Sequence, residues 1–175
     1  MKVEPLSLGG CFVLRPERNE DERGFFARVF CVDELRRHGL DASVSQASVS
    51  FNTKRGTLRG MHYQTAPHEE VKVVRCTSGV AYDVAVDMRP ASPTYRKWCA
   101  VELSAENRTS IYLPKGIAHG FLTLTDAVEL FYLISEPYVP GAGRGLRWND
   151  PTVGIAWPFS PIVISDRDAS WPLLA

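Results

Sequence analysis

The sequence predicts an all-β sandwich or barrel, and two patterns point there: many short apolar or alternating runs, and turn residues spread along the whole chain. Twelve prolines and thirteen glycines punctuate the 175 residues, as frequent tight turns require. Only two stretches read as helix. Val32 to His38 carries Asp33 and Glu34 in its first turn, Arg36, Arg37 and His38 in its last, and Gly39 as a stop, which suits the helix dipole. Ser104 to Asn107 has room for one turn. The strand candidates follow in order. Val71 to Cys76 is the first, and Thr77-Ser78-Gly79 after it is turn chemistry. Val80 to Met88 is the clearest: Val80, Tyr82, Val84, Val86 and Met88 alternate with Ala81, Asp83, Ala85 and Asp87, the two-residue period of a sheet. If Ser78-Gly79 closes a two-residue hairpin, Lys72 faces Ala85 and lies diagonal to both Asp83 and Asp87. The face they share is then solvent or the wall of a polar cavity, and the apolar face is core. Ser110 to Leu113, Gly120 to Thr125 and Val128 to Ser135 complete the set.

Composition narrows the class. With 175 residues, 45% hydrophobic and 23% charged, the chain is one ordinary globular domain, expected to span residues 1–175. Twenty basic and twenty acidic residues cancel, so no overall field favours nucleic acid or anionic membrane, and an anionic ligand has to meet local cations. A neutral surface also does little to oppose self-association. Cys11, Cys31, Cys76 and Cys99 lack C-x-x-C spacing and read as reduced thiols of a cytoplasmic protein. Met1-Lys2-Val3-Glu4-Pro5 has no apolar core of a secretion signal. No window approaches the roughly 18 apolar residues of a membrane span.

Four segments carry chemistry. They are Arg23-Gly24-Phe25-Phe26; Gly56-Thr57-Leu58-Arg59-Gly60-Met61-His62-Tyr63-Gln64; Asp83 to Arg89 with Ser92-Pro93-Thr94-Tyr95; and Pro114-Lys115-Gly116-Ile117-Ala118-His119-Gly120-Phe121. Their order and spacing resemble the dTDP-4-dehydrorhamnose 3,5-epimerase family. The resemblance runs from about Leu6 to Asp168, and Trp148-Asn149-Asp150-Pro151, Trp157-Pro158 and Ser165-Asp166-Arg167-Asp168 extend it. It implies a cupin-type jelly-roll barrel with one or two short helices, a homodimer, a nucleotide-diphosphate sugar as substrate, and neither metal nor redox cofactor.

The implied reaction inverts carbons beside the ketone of a 4-keto-6-deoxyhexose. It needs a base, a group that stabilises the enolate oxygen, and an acid on the opposite side. The resemblance assigns His62 as base, and an imidazole with a pKa near 6.5 suits that work at neutral pH. Asp168, rather than Asp166, is the carboxylate that orients it. Lys72 stabilises the enolate, with Asp83 expected to hold its ammonium and His119 to support the ketone oxygen or that pair. Tyr132 is the acid, since a phenol stays protonated at neutral pH. Tyr138 matches a position that stacks on the nucleotide base. Arg23, Arg59 and Arg167 match positions that meet the diphosphate or the sugar, where a planar guanidinium fits phosphate oxygens.

The chain departs from the family pattern where nucleotide contacts are expected, often from the partner subunit. Arg28 stands where many members have glutamate, and Gln46-Ala47-Ser48 where many have Gln-x-Asn; Gln46, Ser48 and Arg28 remain substrate-binding candidates. These departures leave open the nucleotide, the 4-ketosugar, and whether C3, C5 or both are inverted. Two other readings stand beside the epimerase. A metal-dependent cupin presents His-x-His, a nearby Glu and a later His. Here His62-Tyr63-Gln64 puts Gln64 at the second histidine, followed by His68, Glu69 and Glu70. A non-catalytic sugar-nucleotide-binding jelly roll is the second.

Overall fold

The computed structural model describes residues 1–174. Its chain opens with strands β1 (Lys2–Pro5), β2 (Phe12–Arg15), β3 (Arg18–Asp21) and β4 (Gly24–Ala27), then helix α1 (Val32–Arg37). There follow β5 (Gln46–Asn52), β6 (Thr57–Gln64), β7 (Lys72–Ser78), β8 (Val80–Asp87), β9 (Trp98–Ser104), β10 (Ser110–Leu113), β11 (Ile117–Thr123) and β12 (Val128–Ile134). Short β13 (Gly143–Gly145), β14 (Val163–Ile164) and helix α2 (Asp166–Ala169) end the order. The expected helix at Val32 is present, with its acidic first and basic last turns and Leu35 buried. Ser104 to Asn107 is a turn instead. Its backbone is satisfied by the Asn107 and Ser104 side chains, the local bonding that keeps such residues out of helices.

One sheet runs β1-β2-β10-β7-β12-β5 and the other β13-β6-β11-β8-β9, with β14 added in parallel beside β6. The two sheets face each other over a shared core: Val74, Cys76, Ile111 and Leu130 from one meet Ala81, Ala85, Leu103 and Phe121 from the other. Each fully buried Val, Ile, Leu or Phe among them contributes about 1.5–3 kcal/mol, and the alanines less. Neither sheet closes on itself, so the sandwich alternative holds and the closed barrel does not. β3 and β4 form a separate two-stranded hairpin.

The expected hairpin between the segments around Lys72 and Asp83 is not formed. β7 pairs with β10 and β12, whereas β8 pairs with β9 and β11. Gly79, at φ +72°, turns a corner between the sheets, and a Cβ there would lie 2.6 Å from Thr125 Oγ1 and 2.8 Å from Val128 Cγ2. A tight turn can close a hairpin or change sheets, and local residues do not distinguish the two. The alternation in β8 is nonetheless real. Ala81 and Ala85, with Asp83 on the same side, face the space between the sheets, while Val84 and Val86 pack in a second core with Met61, Ala118, Leu146 and Val153. Asp87 does not face Lys72: its carboxylate accepts from Arg89, Ser92 and Thr94 and pins the following loop.

Candidate active site

β6 and β11 bring two histidines side by side, because His119 pairs directly with His62 in the register. Their glycines allow it. Gly60 sits at φ +135°, and a Cβ on it would lie 2.5 Å from Gly120 Cα, so the strands approach more closely than any side chain permits. His62 and His119 then point from the second sheet toward the first. On that facing sheet, β12 carries Tyr132 and neighbouring β7 carries Lys72, opposite Ile134. A cavity of about 270 Å³ between the sheets is lined by His62, Lys72, His119, Tyr132, Arg59 and Asp168, among others. Base and acid candidates thus come from opposing walls of one space.

Asp168 enters from α2, whose first turn is capped by the Ser165 hydroxyl. Its Oδ1 lies 2.6 Å from His62 Nε2, and its Oδ2 accepts the Gly60 N–H at 3.2 Å. Burial pushes this carboxyl up, but the bonds from His62 and Gly60 outweigh it and hold the pKa below the ordinary aspartate value. The Trp171 ring lies edge-on to His62 at 6.4 Å. It needs Gly145, the register partner of His62, where a Cβ would lie 2.2 Å from the indole.

Lys72 does not pair with Asp83. Its ammonium lies 2.7 Å from Glu70 Oε1 and donates to the His62 carbonyl at 3.2 Å. Asp83 instead takes His119, with Oδ2 and Nε2 2.8 Å apart and both side chains buried. Burial pushes the Asp83 carboxyl up, opposed by His119 and by Lys72 acting through space. Asp83 therefore belongs to the cavity wall through His119. Tyr132 packs edge-on against the His119 ring at 5.8 Å. Burial first, then the nearby Asp83, raises its hydroxyl pKa well above 10, with Arg59 opposing. The phenol is held protonated.

A second cavity of about 210 Å³ shares His62, Lys72 and Ile134 with the first and extends past Gln46, Glu136, Tyr138, Arg144 and Arg167. Arg167 stacks on Trp171 at 5.3 Å, and Arg59 is aimed by Asn52, which accepts from its Nε at 2.8 Å. Tyr138 is exposed on the rim. Three expected contacts do not join this space within the chain. Arg23 is 85% exposed and bonded to Asp21 on its own hairpin, and Arg28 is held by Glu34 at 2.7 Å. Ser48 stands opposite Tyr132 on the edge strand β5 but lines neither cavity.

The sequence reading gives no individual role to Ser50 and Asn52, which lie in a segment one residue longer than the family pattern, names Glu70 only beside the metal-cupin alternative, and does not name Glu136 or Arg144. For the first two a signal existed: Gln46, Ser48, Ser50 and Asn52 alternate with Ala47, Val49 and Phe51, one polar and one apolar face. Gln64, which stands where a metal-dependent cupin needs its second histidine, is engaged by His68, Pro137 and Val139. Among the described residues, no group of three or more His, Cys, Asp or Glu side chains is placed to hold a metal ion.

Comparison with known proteins agrees with this geometry. The profile of the family described as dTDP-4-dehydrorhamnose 3,5-epimerase matches residues 5–175. A dTDP-4-dehydrorhamnose 3,5-epimerase of Sinorhizobium fredii is 41% identical over 175 residues, covering 99% of this chain and 90% of that one. The crystal structure of the Bacillus anthracis dTDP-4-dehydrorhamnose 3,5-epimerase with TDP and PPi bound superposes with a TM-score of 0.94 at 37% identity, covering 99% of both chains. A 3'-monoepimerase from Streptomyces bikiniensis in complex with dTDP-quinovose superposes at 0.89 with 38% identity, covering 97% of this chain and 86% of that one.

Proposed function

Because the chain belongs to the dTDP-4-dehydrorhamnose 3,5-epimerase family, we propose that it inverts C3, C5 or both of a dTDP-4-keto-6-deoxyhexose by proton abstraction beside the ketone and reprotonation from the opposite face. One observation supports the assignment of roles: His62, Lys72 and Tyr132 line a single cavity, with His62 on one sheet and Tyr132 on the other. We read the two-sheet sandwich as a cupin-type jelly roll.

With Nε2 of His62 donating to Asp168, Nδ1 carries the lone pair and takes the proton from carbon. Asp168 fixes that tautomer and stabilises the imidazolium that forms. The negative charge that develops on the ketone oxygen is met by the Lys72 ammonium, with the buried His119–Asp83 pair beside it. Tyr132 gives its proton to the other face and becomes a phenolate. One proton is taken and one given, so the sugar leaves with its charge unchanged, and solvent resets both groups. In this reading Arg59 and Arg167 meet the diphosphate and Tyr138 stacks on the base. In heavy water, solvent deuterium is expected at C3, C5 or both of a dTDP-4-keto-6-deoxyhexose, read by NMR. Binding without any exchange would favour a non-catalytic sugar-nucleotide-binding module.

The active unit is a homodimer in this reading. β5 is a sheet edge whose outer face exposes Val49 by 58% and Phe51 by 53%, and the projecting β3–β4 hairpin exposes Phe26 by 74%. An unpaired strand edge and exposed apolar side chains ask for a partner. Arg23 and Arg28 lie on or just after that hairpin, so a second copy offers the route by which they reach a site. Native mass spectrometry is expected to find a dimer, and V49K/F51E a monomer. A wild-type monomer at micromolar concentration would remove the dimer from this reading.

A further inference from the structure

Glu70 has no part in the scheme above, yet it is among the few buried carboxylates on the cavity, with its side chain only 6% exposed. Both its oxygens are used. Oε1 lies 2.7 Å from the Lys72 ammonium, and Oε2 accepts the backbone N–H of Gln64 at 3.1 Å. Lys72 in turn donates to the carbonyl of His62 at 3.2 Å. The connections form a closed bridge: β7 supplies the cation, β6 supplies the base two residues from Gln64, and Glu70 ties the two strands together.

We propose that Glu70 is a positioning residue for the epimerisation, fixing the Lys72 ammonium relative to His62 so that one N–H is left for the enolate oxygen. An ammonium has three N–H donors. Glu70 and the His62 carbonyl take two, and the third is free to serve the cavity that Lys72 lines. Both groups facing Glu70 are donors, so both its oxygens must accept, and only an ionised carboxylate does that. A glutamine would set an NH2 against either Lys72 or the Gln64 N–H, opening the bridge at one end. Misplacing a cation relative to a developing oxyanion costs rate rather than substrate binding, because the interaction matures only in the transition state.

This rests on the reading of Lys72 as the enolate-stabilising cation, and the test separates the two. Glu70→Gln, Lys72→Met and the double variant of the full chain are assayed with a dTDP-4-keto-6-deoxyhexose. Glu70→Gln is expected to lower kcat by about 10-fold or more with KM changed by less than about threefold. On the Lys72→Met background it should cost no more than about twofold further, because Glu70 acts through Lys72. A Glu70→Gln kcat within about twofold of wild type, or an undiminished loss on the Lys72→Met background, would overturn the proposal. If Lys72→Met itself leaves kcat unchanged, the role of Lys72 fails first and takes the proposal with it. Should Glu70→Gln not fold, Glu70→Asp keeps the charge but is one methylene short of spanning both donors. The same kcat loss and the same lack of additivity are expected of it.

Discussion

His62→Gln is expected to lower kcat by about 10³–10⁴ and to abolish deuterium incorporation at the first carbon. A glutamine amide reaches about as far as Nε2 and can still donate to Asp168, so the contact at 2.6 Å and the anchoring of α2 have a substitute. What it lacks is a basic nitrogen. No neighbour replaces it. His119 pairs with Asp83 and is buried, and Asp168 is held below the ordinary aspartate pKa, which makes it a weaker base than the imidazole it serves. KM should change little, since the proposed roles give the nucleotide end of the substrate to other side chains. NMR of the substrate in heavy water reads exchange directly. Exchange that persists undiminished would take the base role from His62.

The residues behind the expected loss enter through the family resemblance, and part of that resemblance has a physical root. His62 and His119 sit in runs whose glycines are constrained by close approach, whereas no glycine marks the runs around Lys72, Tyr132 and Asp168, whose roles come from the resemblance. Gly60 against Gly120 is the plainest case: neither position accepts a Cβ, so the motif and the juxtaposition of the histidines share one cause. Strand content was legible for a similar reason, because alternation in β8 reports two faces whatever its partners. Partnership was not. The turn at Ser78-Gly79 suits a hairpin, but strands β7 and β8 find their mates far along the chain, and no local pattern encodes which sheet a corner leads to. A hairpin at that turn puts Lys72 diagonal to Asp83, whereas a different carboxylate, Glu70, reaches the ammonium. Glu70 enters from the sequence only beside the metal-cupin alternative, because nothing local links a glutamate between a loop and a strand to the lysine two residues on. Arg23 and Arg28 were read as ligand contacts from a resemblance that concerns an assembly, and one chain alone leaves them on its surface.

Tyr132→Phe should separate two events that the wild-type enzyme couples. The substitution removes only the hydroxyl, so the ring keeps its edge-on packing against His119 at 5.8 Å and the wall of the cavity stays in place. Proton abstraction by His62 is untouched, and the enolate still forms against Lys72. Its fate changes. With no phenol on the far wall, the proton most readily returned is the one on His62, to the face it left. That return regenerates the starting configuration. The His62 side chain is 42% exposed, so its proton can exchange with solvent before it goes back. In heavy water the starting sugar should then gain deuterium without inverting. Inversion is expected to fall by about 10²–10⁴, while exchange at the first carbon falls far less. The ratio of exchange to inversion, followed by NMR on one sample, is insensitive to how much enzyme is folded. Equal loss of both would assign Tyr132 a structural role. A rise in the ratio places its hydroxyl on the side of the ring away from His62, as expected of two groups borne on facing sheets.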